Sequence, residues 1–303
     1  MNLPRSSAQP SRSDRTGAQH LEATQGITLV STGRFPGSAL NDTGRNLTDL
    51  NLTDLNRTEL IGVALAALII GGWILSLAGC LIEAEHLSTS GKVIALLCRT
   101  FLQTGLFIVA HDAMHGSLLP DHPRFNHGIG RFSLWLYGCL DYDRCLTNHR
   151  RHHSSPASVD DPDYHDGHST NPFSWYIRFM AGYLHPQQLI LLVGTWAGLG
   201  MTLRWAGAGS IASILLYWTV PLLLSSLQLF LFGTYLPHRG SLGAATDEPH
   251  HVRSWALPPL LSLVSCYHFG YHWEHHHYPH VPWHLLPRVH AMERSTRQHH
   301  AQR

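Results

Sequence analysis

The chemistry of this chain is concentrated in histidine. Of its 303 residues 25 are His, more than the 21 Lys and Arg together. Eight of them fall into three boxes of helical spacing. The first box is His111-Asp112-Ala113-Met114-His115. On a helix, positions i and i+4 share a face, so its two imidazoles point the same way. The second, His149-Arg150-Arg151-His152-His153, and the third, His272-Trp273-Glu274-His275-His276, each set three rings on one face at i, i+3 and i+4. A ninth candidate, His238, follows an apolar stretch in Leu236-Pro237-His238-Arg239. One tetrahedral metal takes at most four protein ligands, so nine neutral nitrogens suit two metals with room left for dioxygen. Imidazole binds Fe, Cu, Ni and Zn alike, and ligand type does not choose among them. Glu274 is the sole carboxylate within the HxxHH boxes, which argues against a ferritin-like site.

Around these boxes stand groups suited to holding an imidazole N–H. They are Asp112, Asp160 and Asp161 of the Asp160-Asp161-Pro162-Asp163 stretch, and Glu274. His268, four residues before His272, is placed either as a ligand or as a partner to one. His165, His168, His250, His251, His277 and His280 read as supporting or surface groups, and isolated ones such as His290 as solvated.

The boxes need elements to bring them together, and the composition points to a membrane. Only 14% of the residues are charged, against ~25% in soluble proteins. Residues 60–82 carry no charge and would form a helix ~34 Å long, enough for a ~30 Å hydrocarbon core. Residues 93–110 form a second span, with Arg99 near enough to one end to snorkel. The short link makes the two a hairpin. Residues 187–203 and 211–233 form a second hairpin, kinked at Pro221. The apolar island 132–140 and the segment 257–270 are too short to span and read as interfacial or buried. Arg45 and Arg57 precede the first span, and Arg124, Arg131, Arg144, Arg150 and Arg151 follow the second. The positive-inside rule then places both termini and every His box on the cytoplasmic side.

Three domains follow: a polar, disordered tail over 1–57, a membrane domain over 58–290, and a polar C-terminal tail over 291–303. The first tail contains a tandem Asn-Leu-Thr-Asp-Leu, too short a repeat for a solenoid. It has no apolar run resembling a signal peptide. A net charge of +1 gives no sign of a nucleic-acid partner. Five cysteines without a CxxC pair read as small reduced hydrophobes.

The boxes resemble those of the integral-membrane fatty acid desaturase and hydroxylase superfamily. More closely, the chain resembles the bacterial-type β-carotene ketolases, from about residue 60 to 289. That likeness rests on residues 101–116 (FLQTGLFIVAHDAMHG), 232–239 (FGTYLPHR), 256–262 (ALPPLLS), 266–276 (CYHFGYHWEHH) and 279–283 (PHVPW). The resemblance implies an all-α membrane fold of about four transmembrane helices in two hairpins, with a cytoplasmic His-rich cap holding a di-iron site, Fe2+ when reduced. It implies His111, His115, His149, His152, His153, His238, His272, His275 and His276 as iron ligands. It also implies a β-ring carotenoid drawn from the bilayer, dioxygen as co-substrate, and electrons from an external ferredoxin-type donor. The expected reaction is double hydroxylation of ring carbon 4 followed by dehydration. Trp135, Tyr137, Trp273 and Trp283 are candidates for lining the substrate route, or else interfacial anchors. A carotenoid ring hydroxylase and a fatty acid desaturase are the neighbouring alternatives. A metal-binding or transport protein is the non-enzymatic one, disfavoured because the spans hold almost no ionisable residue suited to an ion path.

Overall fold

The computed structural model describes residues 52–83, 86–165, 170–240, 252–255 and 257–301. Most of the expected N-terminal tail, with its repeat, lies outside the described residues, as do His168, His250 and His251. Every element among the described residues is a helix.

The first hairpin is α1 (Leu52–Glu83) and α2 (Thr89–His115). Ser88 caps α2 by accepting from the Gly91 N–H. Helix α2 does not stop where its apolar stretch stops. It continues through His111 and His115, and Gly116 ends it at φ 71°, a left-handed conformation that glycine adopts without strain. The Asn126 amide donates to the Ala113 carbonyl at 2.6 Å, satisfying one of the groups that the helix end leaves open. Asn126 belongs to α3 (Pro123–Gly138), which absorbs the apolar island and buries Ser133, Leu134 and Tyr137 while leaving Phe132 and Trp135 exposed. Helix α4 (Tyr142–Ser154), capped by Asp141, carries the second His box.

After α5 (Pro172–Tyr183) come α6 (Pro186–Trp205) and α7 (Ile211–His238). Among the described helices, three are long and apolar enough to cross a membrane: Arg57–Glu83, Thr89–His115 and Ile211–His238. Helix α6, expected as a fourth, has 20 residues. Its Pro186-Gln187-Gln188 start and Arg204 dilute its apolar run, although Leu189, Ile190, Leu191 and Val193 are all exposed.

Helix α7 contains two π-turns, Leu215–Thr219 and Leu231–Tyr235. The first accommodates Pro221, where a kink is expected. Pro221 has no N–H for the carbonyl four residues before it, that of Tyr217. Arg99 supplies the donor: its Nε–H reaches the Tyr217 carbonyl at 2.9 Å, and Nη1 reaches the Trp73 carbonyl at 2.6 Å. Arg99 therefore does not snorkel. It is fully buried, its guanidinium over the Trp73 ring, and it joins α1, α2 and α7. Gln103 and Thr104 also point inward, bonded to Trp73 and Ser225. These polar side chains are buried, while apolar ones such as Leu68, Leu75 and Leu97 are exposed, a pattern consistent with lipid surroundings.

The chain finishes with α8 (Pro259–Cys266), α9 (His272–His277) and α10 (Leu286–Ala301). The last covers most of the expected C-terminal tail, with Glu293 accepting from the Tyr278 hydroxyl and Arg297 over Trp273. All five cysteines are free thiols.

Candidate metal centre

The nine expected histidines converge, and they do so as two groups. His111, His115, His149, His153 and His275 each bring a ring nitrogen within 4.8 Å of the others, and His152, His238, His272 and His276 do the same. The division runs through each HxxHH box, where the i and i+4 rings stay together while the i+3 ring turns to the other group. Thus His149 and His153 serve the first group and His152 the second, whereas His272 and His276 serve the second and His275 the first. The end of α2 contributes only to the five-ring group, and the end of α7 supplies His238 to the four-ring group.

The facing Nε2 atoms stand 2.6 Å apart for His115 and His149, 2.9 Å for His153 and His275, 3.1 Å for His152 and His276, and 3.3 Å for His238 and His272. Two ligands at right angles on a metal with ~2.1 Å bonds are about 3 Å apart, so these spacings fit rings that share an ion. His111 makes the same point: it is buried, and neither of its ring nitrogens has a hydrogen-bond partner. A buried imidazole left in that state is costly, and a metal would take up its lone pair. Burial, followed by the neighbouring imidazoles, holds His149, His272, His275 and His276 well below the usual histidine range. Such shifts favour the neutral ring, whose lone pair can bind a metal.

His152 differs. Burial works against its proton, but Asp161 outweighs burial and raises its affinity for one. The Nδ1–H donates to the Asp161 carboxylate at 3.0 Å, which directs Nε2 into the four-ring group. Asp161 also accepts from the Ala157 and Asp163 backbone N–H groups, both at 2.9 Å.

The other expected supports divide. Asp112 accepts from the Trp283 backbone N–H at 3.3 Å and lies 3.9 Å from His111 Nδ1, beyond a hydrogen bond. Asp160 is exposed; its carbonyl accepts from Arg151 and its backbone N–H donates to the Ser158 hydroxyl. It does not reach an imidazole, because the turn directs the next residue inward instead. Glu274 is buried behind its box, accepting from Ser254 and paired with His290 at 2.6 Å, so His290 is not simply solvated. His268 does not share a face with His272. The helix ends at Cys266, Tyr267 and His268 both take positive φ, and the His268 ring stacks on Trp283.

An apolar cavity of about 230 Å³ lies among α2, α3, α5, α6 and α7, lined by residues that include Tyr137, Leu192, Trp196 and Leu222. It shares Phe107, Phe179, Tyr183 and Leu229 with a smaller space of about 40 Å³ bounded by His111, His149, His152 and His272. Of the four aromatic residues considered for a substrate route, only Tyr137 lines the cavity. Trp135 faces outward beside Phe132, Trp273 stacks on His277, and Trp283 packs against Tyr267. Their amphipathic chemistry fits packing and interfacial positions equally well. Sequence reasoning missed Phe269, whose ring packs on His111, and Gly233, where a Cβ would stand 2.8 Å from that ring. It also missed Asp163 and Tyr183, hydrogen-bonded at 2.8 Å. Asp163 lay within the acidic stretch already singled out, whereas Tyr183 carried no local signal.

The chain is similar to known proteins. The family model described as fatty acid desaturase matches residues 88–197 and 186–303. A β-carotene ketolase of Paracoccus sp. (strain PC1) is 38% identical over 235 residues, covering 76% of this chain and 92% of that protein. A second β-carotene ketolase, from Paracoccus sp. (strain N81106 / MBIC 01143), is 41% identical over 191 residues, 62% of this chain and 74% of its own length. A zeaxanthin 4-ketolase of Chlamydomonas reinhardtii is 35% identical over 247 residues, 78% of this chain and 54% of that protein.

Proposed function

The chain belongs to the fatty acid desaturase family, and we propose that it is a β-carotene ketolase, a membrane oxygenase that converts carbon 4 of the β-ionone ring to a ketone. The observation that carries this reading is an apolar cavity that shares four lining residues with a smaller space bounded by His111, His149, His152 and His272, rings of both histidine groups. A carotenoid is apolar and resides in the bilayer, and such a cavity leads one of its rings to the histidines without exposing it to water.

The five-ring and four-ring groups are the ligands of two iron ions. Bound there, iron supplies the reductive activation of dioxygen, which the side chains lack. The protein's own part is placement. Asp161 fixes the tautomer and direction of His152. Phe269 packs on His111 and His275 and limits where those rings can turn. The cavity walls exclude water and present one end of a long apolar molecule. Each of two hydroxylations at carbon 4 replaces one C–H with C–OH. One atom of dioxygen enters the product and the other leaves as water, with two electrons and two protons from an external ferredoxin-type donor. The resulting geminal diol loses water to give the ketone.

In the membrane, α1 with α2 and α6 with α7 form two hairpins. The 20-residue α6 is ~30 Å long, just sufficient to span. Both termini and the His boxes lie on the cytoplasmic side, and residues 58–290 form the catalytic domain between two polar extensions.

The test is expression of the full chain in cells that accumulate β-carotene, with pigments resolved by chromatography and mass. The expected products are echinenone and canthaxanthin, formed only with oxygen and absent from a His275→Ala control. Hydroxylated rings without ketones would reassign the chain to ring hydroxylation. Untouched β-carotene with an iron-loaded protein and a working reductant would refute the carotenoid reading.

A further inference from the structure

Two spaces, of about 230 and about 40 Å³, share four lining side chains. Phe107 of α2, Phe179 and Tyr183 of α5 and Leu229 of α7 line both the wide apolar cavity and the small space at the histidines. These four side chains, the collar, stand where the two spaces adjoin, and a ring brought from the cavity toward His111 and His272 must come up against them. We propose that this collar determines which ring carbon is oxidised, with Tyr183 as its positioning residue. The inference rests on the carotenoid reading above.

Tyr183 is the one polar member of the collar and the last residue of α5. A ring at a helix end would otherwise have rotamer freedom. Here its hydroxyl donates to Asp163 at 2.8 Å, and the Asp163 N–H donates to Asp161, which holds His152. The Phe179 ring, one turn earlier on the same face, packs against it with ring centroids 5.0 Å apart. One short loop thus fixes both a candidate ligand and the collar, so their separation is set by directional bonds. That precision matters because carbons 3 and 4 of the β-ring are bonded neighbours ~1.5 Å apart. Displacement by about 1 Å can change a rate about 100-fold. Selecting carbon 4 therefore requires a stiff boundary next to the histidines, and the wide cavity, lined by residues such as Leu189 and Met180, is not where that boundary lies.

The test compares the full-length wild type with Tyr183→Phe, Leu229→Val and Leu189→Ala in β-carotene-accumulating cells. Leu189 lines only the wide cavity. Two quantities are read: the ratio of carbon-4 products to products hydroxylated at neighbouring carbons, and bound iron per purified chain. Tyr183→Phe and Leu229→Val are expected to keep their iron while that ratio falls about tenfold or more. Leu189→Ala keeps the wild-type ratio. If either collar variant fails to load iron, the other decides the matter. The proposal is overturned if an iron-loaded, active collar variant retains the wild-type ratio, or if Leu189→Ala shifts it equally. A wild type that makes no carbon-4 product would instead sink the carotenoid reading itself.

Discussion

The two histidine groups differ in how they meet water and in what stands behind them. All four rings of His152, His238, His272 and His276 are buried, and Asp161 braces one of them. In the five-ring group His115, His149 and His153 are only partly buried. They line an opening of about 450 Å³ together with Arg150 and Pro279, and it shares no lining residue with the apolar cavity. One group is fully buried and held by a carboxylate, while the other has an extra ring and borders the larger opening. The same two HxxHH boxes build both, so the difference comes from the ends of the helices that complete them. Helix α2 reaches the centre as an uninterrupted helix bearing two rings, whereas α7 arrives through a π-turn with His238 alone.

The largest effect that tests this contrast is removal of one ring from each group. His276→Ala leaves three buried rings, none of which lines the opening beside Arg150 through which water could replace the fourth. It is expected to lower bound iron from roughly two to roughly one per chain and activity by more than about 100-fold. His153→Ala leaves four rings beside an opening that admits water. Iron analysis of the purified variant should still find close to the wild-type amount, although turnover falls. Equal iron loss in the two variants would erase the distinction between the groups.

Asp161→Asn probes the brace. The carboxylate accepts from His152 and from two backbone N–H groups, and an amide turns one of those acceptors into a donor. Affinity of the four-ring group should fall by about 10- to 100-fold, the usual cost of losing a partner behind a metal ligand. A competitive chelator titration would show one of the two ions released early. Parallel release of both would mean that the loop supports the centre as a whole.

The convergence of the three boxes and His238 was legible in the sequence, whereas the contrast between two groups was not. The i, i+3, i+4 pattern implied shared helix faces within each box. What spacing could not express was that the i+3 ring turns away from its i and i+4 neighbours. That depends on two helices facing each other across the centre, a tertiary fact. His268 failed for a related reason: the i, i+4 argument assumes an unbroken helix, and positive φ at Tyr267 and His268 breaks it. Arg99 was misplaced because its partners, the carbonyls of Trp73 and Tyr217, are backbone atoms on other helices and leave no trace in side-chain pattern. The collar was invisible too, since Phe107, Phe179 and Leu229 look like any other apolar residues until the cavity joins them.

Acid should separate the groups more gently. With Asp161 beside it, His152 holds a proton above the ordinary histidine range, so metal entering the four-ring group must displace that proton. His149 and His275, kept neutral by burial and their neighbours, impose no such cost near neutrality. Lowering the pH should therefore weaken the four-ring group first, by about tenfold per unit below the raised His152 value. The five-ring group should hold its ion further into acid. Iron retention measured after dialysis across pH 5–8 reads this directly, and simultaneous loss of both ions would contradict it.

The smallest effect is expected at Asp112, the carboxylate in the position behind the five-ring group that Asp161 takes behind the other. Its oxygens lie 3.3 and 3.4 Å from the Trp283 N–H, and 3.9 Å separates it from His111 Nδ1. It ties the segment before α10 to α2 and does not orient the ring. An asparagine carbonyl can accept from the same backbone N–H, so Asp112→Asn should change iron affinity within about threefold. If the same chelator titration finds a loss of tenfold or more, Asp112 must close onto His111 when the centre is loaded. The two groups would then be braced alike, and their difference would reduce to the opening beside Arg150.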